Sequence, residues 1–185
     1  MNLKHKLLEH PFYQKWERGE ITSEQLSNYA ATYNEFISMI PEFWSVVVSS
    51  FDSKNPEGKK IINEETAHID LWKKWSNKLP RAENYPSMKS EIESFANMNP
   101  SELLGAIHAF EIQQPEVAQT KKEGLIKHYG FKAEDLDYFD EHMNEAEHIQ
   151  YGNKLASGFA VYSDFERGFE KGSEIIYKSL DKFVN

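Results

Sequence analysis

The pattern Glu-x-x-His occurs twice in this chain, at Glu65/His68 and again at Glu145/His148. Residues three or four apart share a face of an α-helix, so each pair presents a carboxylate and an imidazole side by side. One such pair alone is an ordinary surface feature. Two of them on separate helices, with further inward carboxylates, form the donor set by which helical proteins hold a pair of iron or manganese ions. That requirement points to an all-α chain whose helices face one another. The second pair lies in Tyr138-Phe139-Asp140-Glu141-His142-Met143-Asn144-Glu145-Ala146-Glu147-His148. Read as one continuous helix, this segment puts Glu141, Glu145 and His148 on nearly one stripe. The first pair lies in Glu64-Glu65-Thr66-Ala67-His68, where His68 shares a face with both glutamates and Leu71, Trp72 and Trp75 continue the apolar side.

Composition narrows the chemistry. With no cysteine, the chain has no disulfide, no thiolate zinc site and no cysteine nucleophile, so any metal is held by nitrogen and oxygen. Such donors suit iron, manganese or zinc better than copper(I). A net charge of −9 with lysines scattered among acids argues against a nucleic-acid partner, which would need a clustered basic surface. The 185 residues suffice for one domain, taken as 1–185, and are few for two. Residues 1–9 are basic and amphipathic without a signal-peptide core. The longest apolar run, near Phe43–Val48, is far below the roughly 20 residues of a membrane span. A soluble cytoplasmic protein with no membrane partner is expected.

Helix punctuation recurs along the chain, and hairpin signals do not. A first helix is expected over Leu3–Arg18, stopped by Gly19. Thr22 and Gln25 form a capping box that opens a long helix over Ser23–Phe51, kinked at Pro41. Asn55-Pro56 opens a third helix to about Leu79. A short helix over Ser87–Ala96 follows. Asn99-Pro100 with Glu102 opens a long helix to Tyr129, closed by Gly130. Lys132–Phe159 and Ser163–Phe183 complete about seven helices. Glycines 152, 158, 168 and 172 fall inside the last two and weaken their continuity, at about 1 kcal/mol each relative to alanine.

Single residues add to the donor set. Glu111 is flanked by apolar residues in Ala109-Phe110-Glu111-Ile112, and a buried carboxylate is costly unless paired or metal-bound. Pro115, four residues on, leaves the Glu111 carbonyl without its helical partner, so a kink beside an inward carboxylate is expected. His108 reads as a hydrogen-bonded core histidine before it reads as a ligand, and His10 reads as structural. On the residues alone, Tyr13, Tyr29, Tyr33 and Tyr138 are core aromatics, and Lys121, next to Lys122, is a solvated lysine.

These residues also carry a resemblance. The opening His10-Pro11-Phe12-Tyr13, Trp16, Gly19-Glu20-Ile21-Thr22, Glu24-Gln25-Leu26 and Tyr29-Ala30 is similar to that of the TenA/PqqC/heme-oxygenase-like superfamily. His68-Ile69-Asp70-Leu71-Trp72-Lys73, the stretch from Glu111 through Gln113, Pro115, Val117-Ala118, Lys121 and Gly124-Leu125 to Tyr129-Gly130-Phe131, and Tyr138-Phe139 with Glu141-His142 narrow it. Together they resemble the branch of the chlamydial protein associating with death domains and its bacterial relatives, over most of residues 8–150. The resemblance implies a single-domain heme-oxygenase-like bundle with two iron ions or a mixed iron–manganese pair, dioxygen and an external reductant as co-reactants, and no heme. It implies para-aminobenzoate synthesis for folate from a tyrosine of the chain itself, with Tyr13 as the sacrificed residue, Tyr29 as a second tyrosine and Lys121 as nitrogen donor. A homodimer is compatible with it.

The ligands that the resemblance implies are Glu64, His68, Glu111, His142 and His148, with two departures. The family's first Glu and His are seven apart, whereas Glu64 and His68 are four apart. Its last motif is His-x3-Asp-x2-His, whereas His142 and His148 are six apart, which on an ideal helix splays them by roughly 120°. Either a bulge restores the register, or Glu141 replaces the first histidine, giving Glu141-x3-Glu145-x2-His148. The pair Glu65/His68 also resembles UndA-type oxidative decarboxylases of the superfamily, which act on a small acid or amine. A TenA-type thiaminase conflicts with the absence of cysteine. A non-enzymatic interaction protein would keep the bundle without the site.

Overall fold

Proline and asparagine decide where the helices start and stop. The structure, a computed structural model, describes residues 2–184. Met1 and Asn185, which the expected domain 1–185 includes, lie outside the described residues. Those described are all-α, with no strand. The helices are α1 (Pro11–Arg18), α2 (Ser23–Ile37), α3 (Ile40–Phe51), α4 (Pro56–Ser76), α5 (Lys89–Ala96), α6 (Pro100–Glu111), α7 (Gln114–Tyr129), α8 (Asp137–His142), α9 (Ala146–Gly158) and α10 (Tyr162–Ser179). Three 3₁₀ turns, Leu7–Glu9, Ala133–Asp135 and Leu180–Phe183, flank them.

The expected caps are present. Thr22 and Gln25 close a reciprocal capping box on α2, Asn99 and Glu102 do so on α6, and Asn55 accepts from the Glu57 amide at the start of α4. Gly19 and Gly130 end α1 and α7 in the left-handed region, at φ 71° and 73°.

The about seven expected helices become ten because three expected long helices are each broken in two. Pro41 does more than kink Ser23–Phe51. As the second residue of α3, its ring cannot follow the Ile37 carbonyl in one helix, and the chain turns at Ser38–Met39. Pro115 likewise separates α6 from α7 and makes Glu111 the last residue of α6. The third break divides Lys132–Phe159, between His142 and Ala146, where neither proline nor glycine stands. There the Asn144 side chain donates to the Asp140 carbonyl (3.0 Å), while its backbone N–H goes to Glu141, one residue short of the α-helical partner. The first helix is also shorter than expected. Leu3–Lys6 is not helical, and α1 starts after His10, whose Nδ1 accepts from the Phe12 amide (3.1 Å).

The glycines expected to weaken the last helix instead seat it. A Cβ on Gly168 would stand 1.9 Å from the Glu102 carbonyl oxygen, and one on Gly105 2.1 Å from that of Phe165. Thus α6 and α10 pack backbone to backbone. Around α6 are also arranged α3, α5, α7 and α9. All four tryptophans, Trp16, Trp44, Trp72 and Trp75, are fully buried in one aromatic core. Among the described residues no helix is long and apolar enough to cross a membrane.

Candidate metal centre

Helices α4, α6, α8 and α9 bring six acidic and imidazole side chains together. Glu65, His68, Glu111, His142, Glu145 and His148 are each at most 8 % exposed. Their donor atoms fall into two sets, each with atoms within 4.8 Å of one another: Glu65, His68 and His142, and Glu65, Glu111, Glu145 and His148. Glu65 belongs to both, so one carboxylate serves two donor sets.

The imidazoles are held from behind. Nδ1 of His142 donates to the Tyr138 carbonyl (2.7 Å), which fixes the tautomer and leaves Nε2 facing the cluster, 3.6 Å from Oε1 of Glu145. The Tyr138 ring stacks on His142 at 4.0 Å between centroids. Nε2 of His148 donates to Oε2 of Glu64 (3.3 Å), so its Nδ1 points inward. That nitrogen lies 2.9 Å from Oε1 of Glu65 and 2.9 Å from Oε2 of Glu145, yet neither oxygen is aligned with it as a hydrogen bond. Nδ1 of His148, Nδ1 of His68 and Oε1 of Glu145 are buried without a hydrogen-bond partner. Buried polar atoms normally have one. Lone pairs that converge without pairing are what a cation satisfies.

The electrostatics agree. Burial, and then the charges of Glu65 and Glu145, hold the Glu111 carboxyl well above the usual carboxylate range; only the Trp44 indole donates to it, at 3.3 Å. Burial also disfavours charge on Glu65, but His148 and His68 outweigh this and hold its carboxyl low. Burial pulls His148 down, and the adjacent carboxylates of Glu145 and Glu65 push it up further. Three carboxylates and three imidazoles of harder donor type, mutually close and incompletely paired, fit two first-row divalent ions.

Two residues expected on the sequence do not enter this cluster. Glu141 is exposed, because the break at Met143–Glu145 rotates α8 relative to α9 and turns His142 inward in its place. The stripe Glu141-x3-Glu145-x2-His148 therefore does not form, and Glu145 is the residue preceding α9. Glu64 is half-buried at the rim and touches His148 from outside; Glu65 projects inward from α4. His108 is buried apart from both sets, with Nδ1 unpartnered and its imidazole lowered to about 4 by burial. It is not the hydrogen-bonded histidine expected.

A second cluster lies among aromatic rings. Tyr13 and Tyr29 are at most 2 % exposed, and their hydroxyls are 3.3 Å apart. Nζ of Lys121 sits 5.5 Å from the ring centre of Tyr13, 5.3 Å from that of Tyr29 and 5.9 Å from that of Trp72. The solvated lysine that its neighbour suggested is buried, and burial alone lowers it to about 7. The signal was present in the sequence: Val117, Ala118, Lys121, Gly124 and Leu125 form one inward stripe of α7. Burial also raises both phenols, so they remain protonated at neutral pH. Sequence reasoning left Trp72 and Tyr138 as plain core. Trp72 lies 6.2 Å from Tyr29 and 4.9 Å from Tyr138, centre to centre, so these two rings join the lysine–tyrosine cluster to His142.

Comparison with known proteins gives concordant findings. The TENA/THI-4/PQQC family model matches residues 1–174. A protein of Chlamydia muridarum named 4-aminobenzoate synthase is 32 % identical over 201 aligned positions, covering 96 % of this chain and 84 % of that protein. Proteins of the same name from Chlamydia trachomatis and Nitrosomonas europaea are each 30 % identical, covering 97 % and 92 % of this chain and 87 % and 78 % of their own lengths.

Proposed function

The chain belongs to the TENA/THI-4/PQQC family, and from that premise we propose that it forms 4-aminobenzoate from its own Tyr13, with a dinuclear metal centre and dioxygen as oxidant. The observation that carries this reading is the pairing of two buried clusters: six metal-type donors sharing Glu65, and beside them a phenol pair with a lysine that has no counter-ion among the described residues. Relatives named for the same product support the reaction class.

Glu65, His68, Glu111, His142, Glu145 and His148 would hold the two ions, iron or an iron–manganese pair. When bound, such ions supply the reduction of dioxygen, with electrons from an external reductant. The chain's own residues do the rest. The ring and Cβ of Tyr13 match the carbon skeleton of 4-aminobenzoate, so its Cα–Cβ bond is the one to break. Tyr29 Oη, 3.3 Å from Tyr13 Oη, is placed to exchange its proton. Lys121, lowered to about 7, keeps a free lone pair on Nζ near neutral pH and is the nitrogen source. Phe12, Trp16 and Trp72, each fully buried, exclude water from the phenols. On the inner side of the donors, toward Tyr138 and Trp72, the chain's own rings fill the space, which favours a substrate belonging to the chain over a small acid or amine there.

The test is the intact mass of the metal-free chain, loaded anaerobically with Fe(II), with and without Mn(II), then exposed to dioxygen and reductant. The expected result is a chain that has lost the tyrosine side chain at position 13 and the Nζ amine of Lys121, its Cε–Nζ bond broken, with 4-aminobenzoate released, the phenol oxygen displaced as water and the product nitrogen carrying label from ¹⁵N-lysine. Absence of both oxygen uptake and product would overturn the reading; product with an unchanged chain mass would overturn its self-consuming form.

A further inference from the structure

Glu64 and Glu141 stand beside the donors in sequence and outside them in space. Both lie at the rim of a surface cavity of about 230 Å³ between α4 and the α8–α9 break, together with Glu147 and Lys60. His68, Glu145 and His148 form its floor. Three buried atoms without hydrogen-bond partners, Nδ1 of His68, Nδ1 of His148 and Oε1 of Glu145, belong to these floor residues.

We propose that this cavity is the route by which divalent cations reach the centre, with Glu64, Glu141 and Glu147 drawing the hydrated ion in and Lys60 acting as a latch across the mouth. The inference rests on the metal reading above. Lys60 on α4 pairs with Glu147 on α9 and lies 3.5 Å from Glu64, so it ties the two walls together and offsets two of the three acids. Its side chain is 53 % exposed and that of Glu147 70 %. An exposed pair of this kind holds only weakly, because water screens it and both side chains lose freedom in making it, so the latch opens readily. With Lys60 swung out, three carboxylates converge on one opening. A concave mouth of one sign concentrates the opposite ion and raises association rates by roughly 10–10³-fold. Glu64 then makes the handover, since it already contacts the outer nitrogen of His148 at 3.3 Å while the inner nitrogen faces the floor.

The experiment is stopped-flow binding of Co²⁺ to the metal-free full-length chain, followed by visible absorbance, with release measured by chelator challenge. Glu141→Gln combined with Glu147→Gln is expected to slow association about tenfold without changing the number of ions bound. Lys60→Ala is expected to speed association and release together, several-fold each, with Kd changed less than about twofold, which a merely structural loss would not produce. Glu170→Gln combined with Glu174→Gln removes the same charge on α10 and is expected to leave the rates unchanged. If the rim variants load at the unsubstituted rate, or the α10 control slows equally, the route is wrong and the donor cluster stands. If the unsubstituted chain takes up no Co²⁺, both fall.

Discussion

The two buried clusters keep polar groups inside the protein by opposite means. Around Glu65, carboxylates and imidazoles face one another within 3.6 Å, and Glu111 alone of the six lacks a partner of opposite sign and keeps its proton instead. Nζ of Lys121 lies instead among three aromatic rings, and burial makes the amine shed its charge more easily. Close but incomplete compensation suits a region proposed to hold cations; discharge suits a region proposed to offer a neutral nitrogen to an aromatic ring. A buried charge left without either is among the costliest features a fold can carry. The same distinction explains how a lysine and a glutamate can be equally hidden and chemically unlike.

The comparison is broken most directly at its shared carboxylate. Glu65→Ala is expected to destabilise the metal-free chain by about 3–5 kcal/mol, because His68 and His148 lose a compensating charge. It is also expected to lower bound metal from about two ions per chain to less than one, measured by elemental analysis. Retention of both ions would remove Glu65 from its central role. Next in size is Lys121→Met, expected to abolish product while raising stability at pH 7 by several kcal/mol, at most roughly 5. Since burial lowers the lysine from 10.5 to about 7, the unfolded chain binds the extra proton between those values. The penalty is therefore full below about pH 7 and fades as pH rises toward 10.5. Urea unfolding at pH 7 and pH 9.5 should show the gap between the two proteins narrowing; a constant gap would mean that the amine stays charged inside. The smallest effect is expected for Tyr29→Phe, about 1 kcal/mol for the lost hydroxyl contact, with metal content unchanged and consumption of Tyr13 slowed. A fall in metal content would show the two regions to be one.

Much of this arrangement was legible in the chain, and the illegible parts have a common cause. Caps at Thr22, Asn55 and Asn99 are local, so sequence carries them, and it carries Pro41 and Pro115 as kinks, though not as the full breaks that packing makes of them. Glu65, Glu111, Glu145, His68 and His148 could be nominated from spacing and apolar flanks. The choice between Glu64 and Glu65 could not be made there, because both share a face with His68 and only the helices packed on α4 decide which one is inside. Nor could Glu141 be set aside for His142, since that depends on the turn at Asn144, made by one side-chain amide competing for a backbone carbonyl. The link through Trp72 and Tyr138 needs three helices in register before it exists at all. Its one local trace is that Tyr138 precedes His142 by four residues.

The seam at Gly105 and Gly168 has a consequence at the far end of α6. With a carbonyl of each helix lodged where the other lacks a side chain, α6 has no slack to slide along α10. Glu111 rides on the last turn of that immobilised rod. The place of Glu111 beside Glu65 and Glu145 is thus gauged by α10, a helix that supplies none of the six side chains, and any loosening of that distant joint would be felt as a misplaced carboxylate.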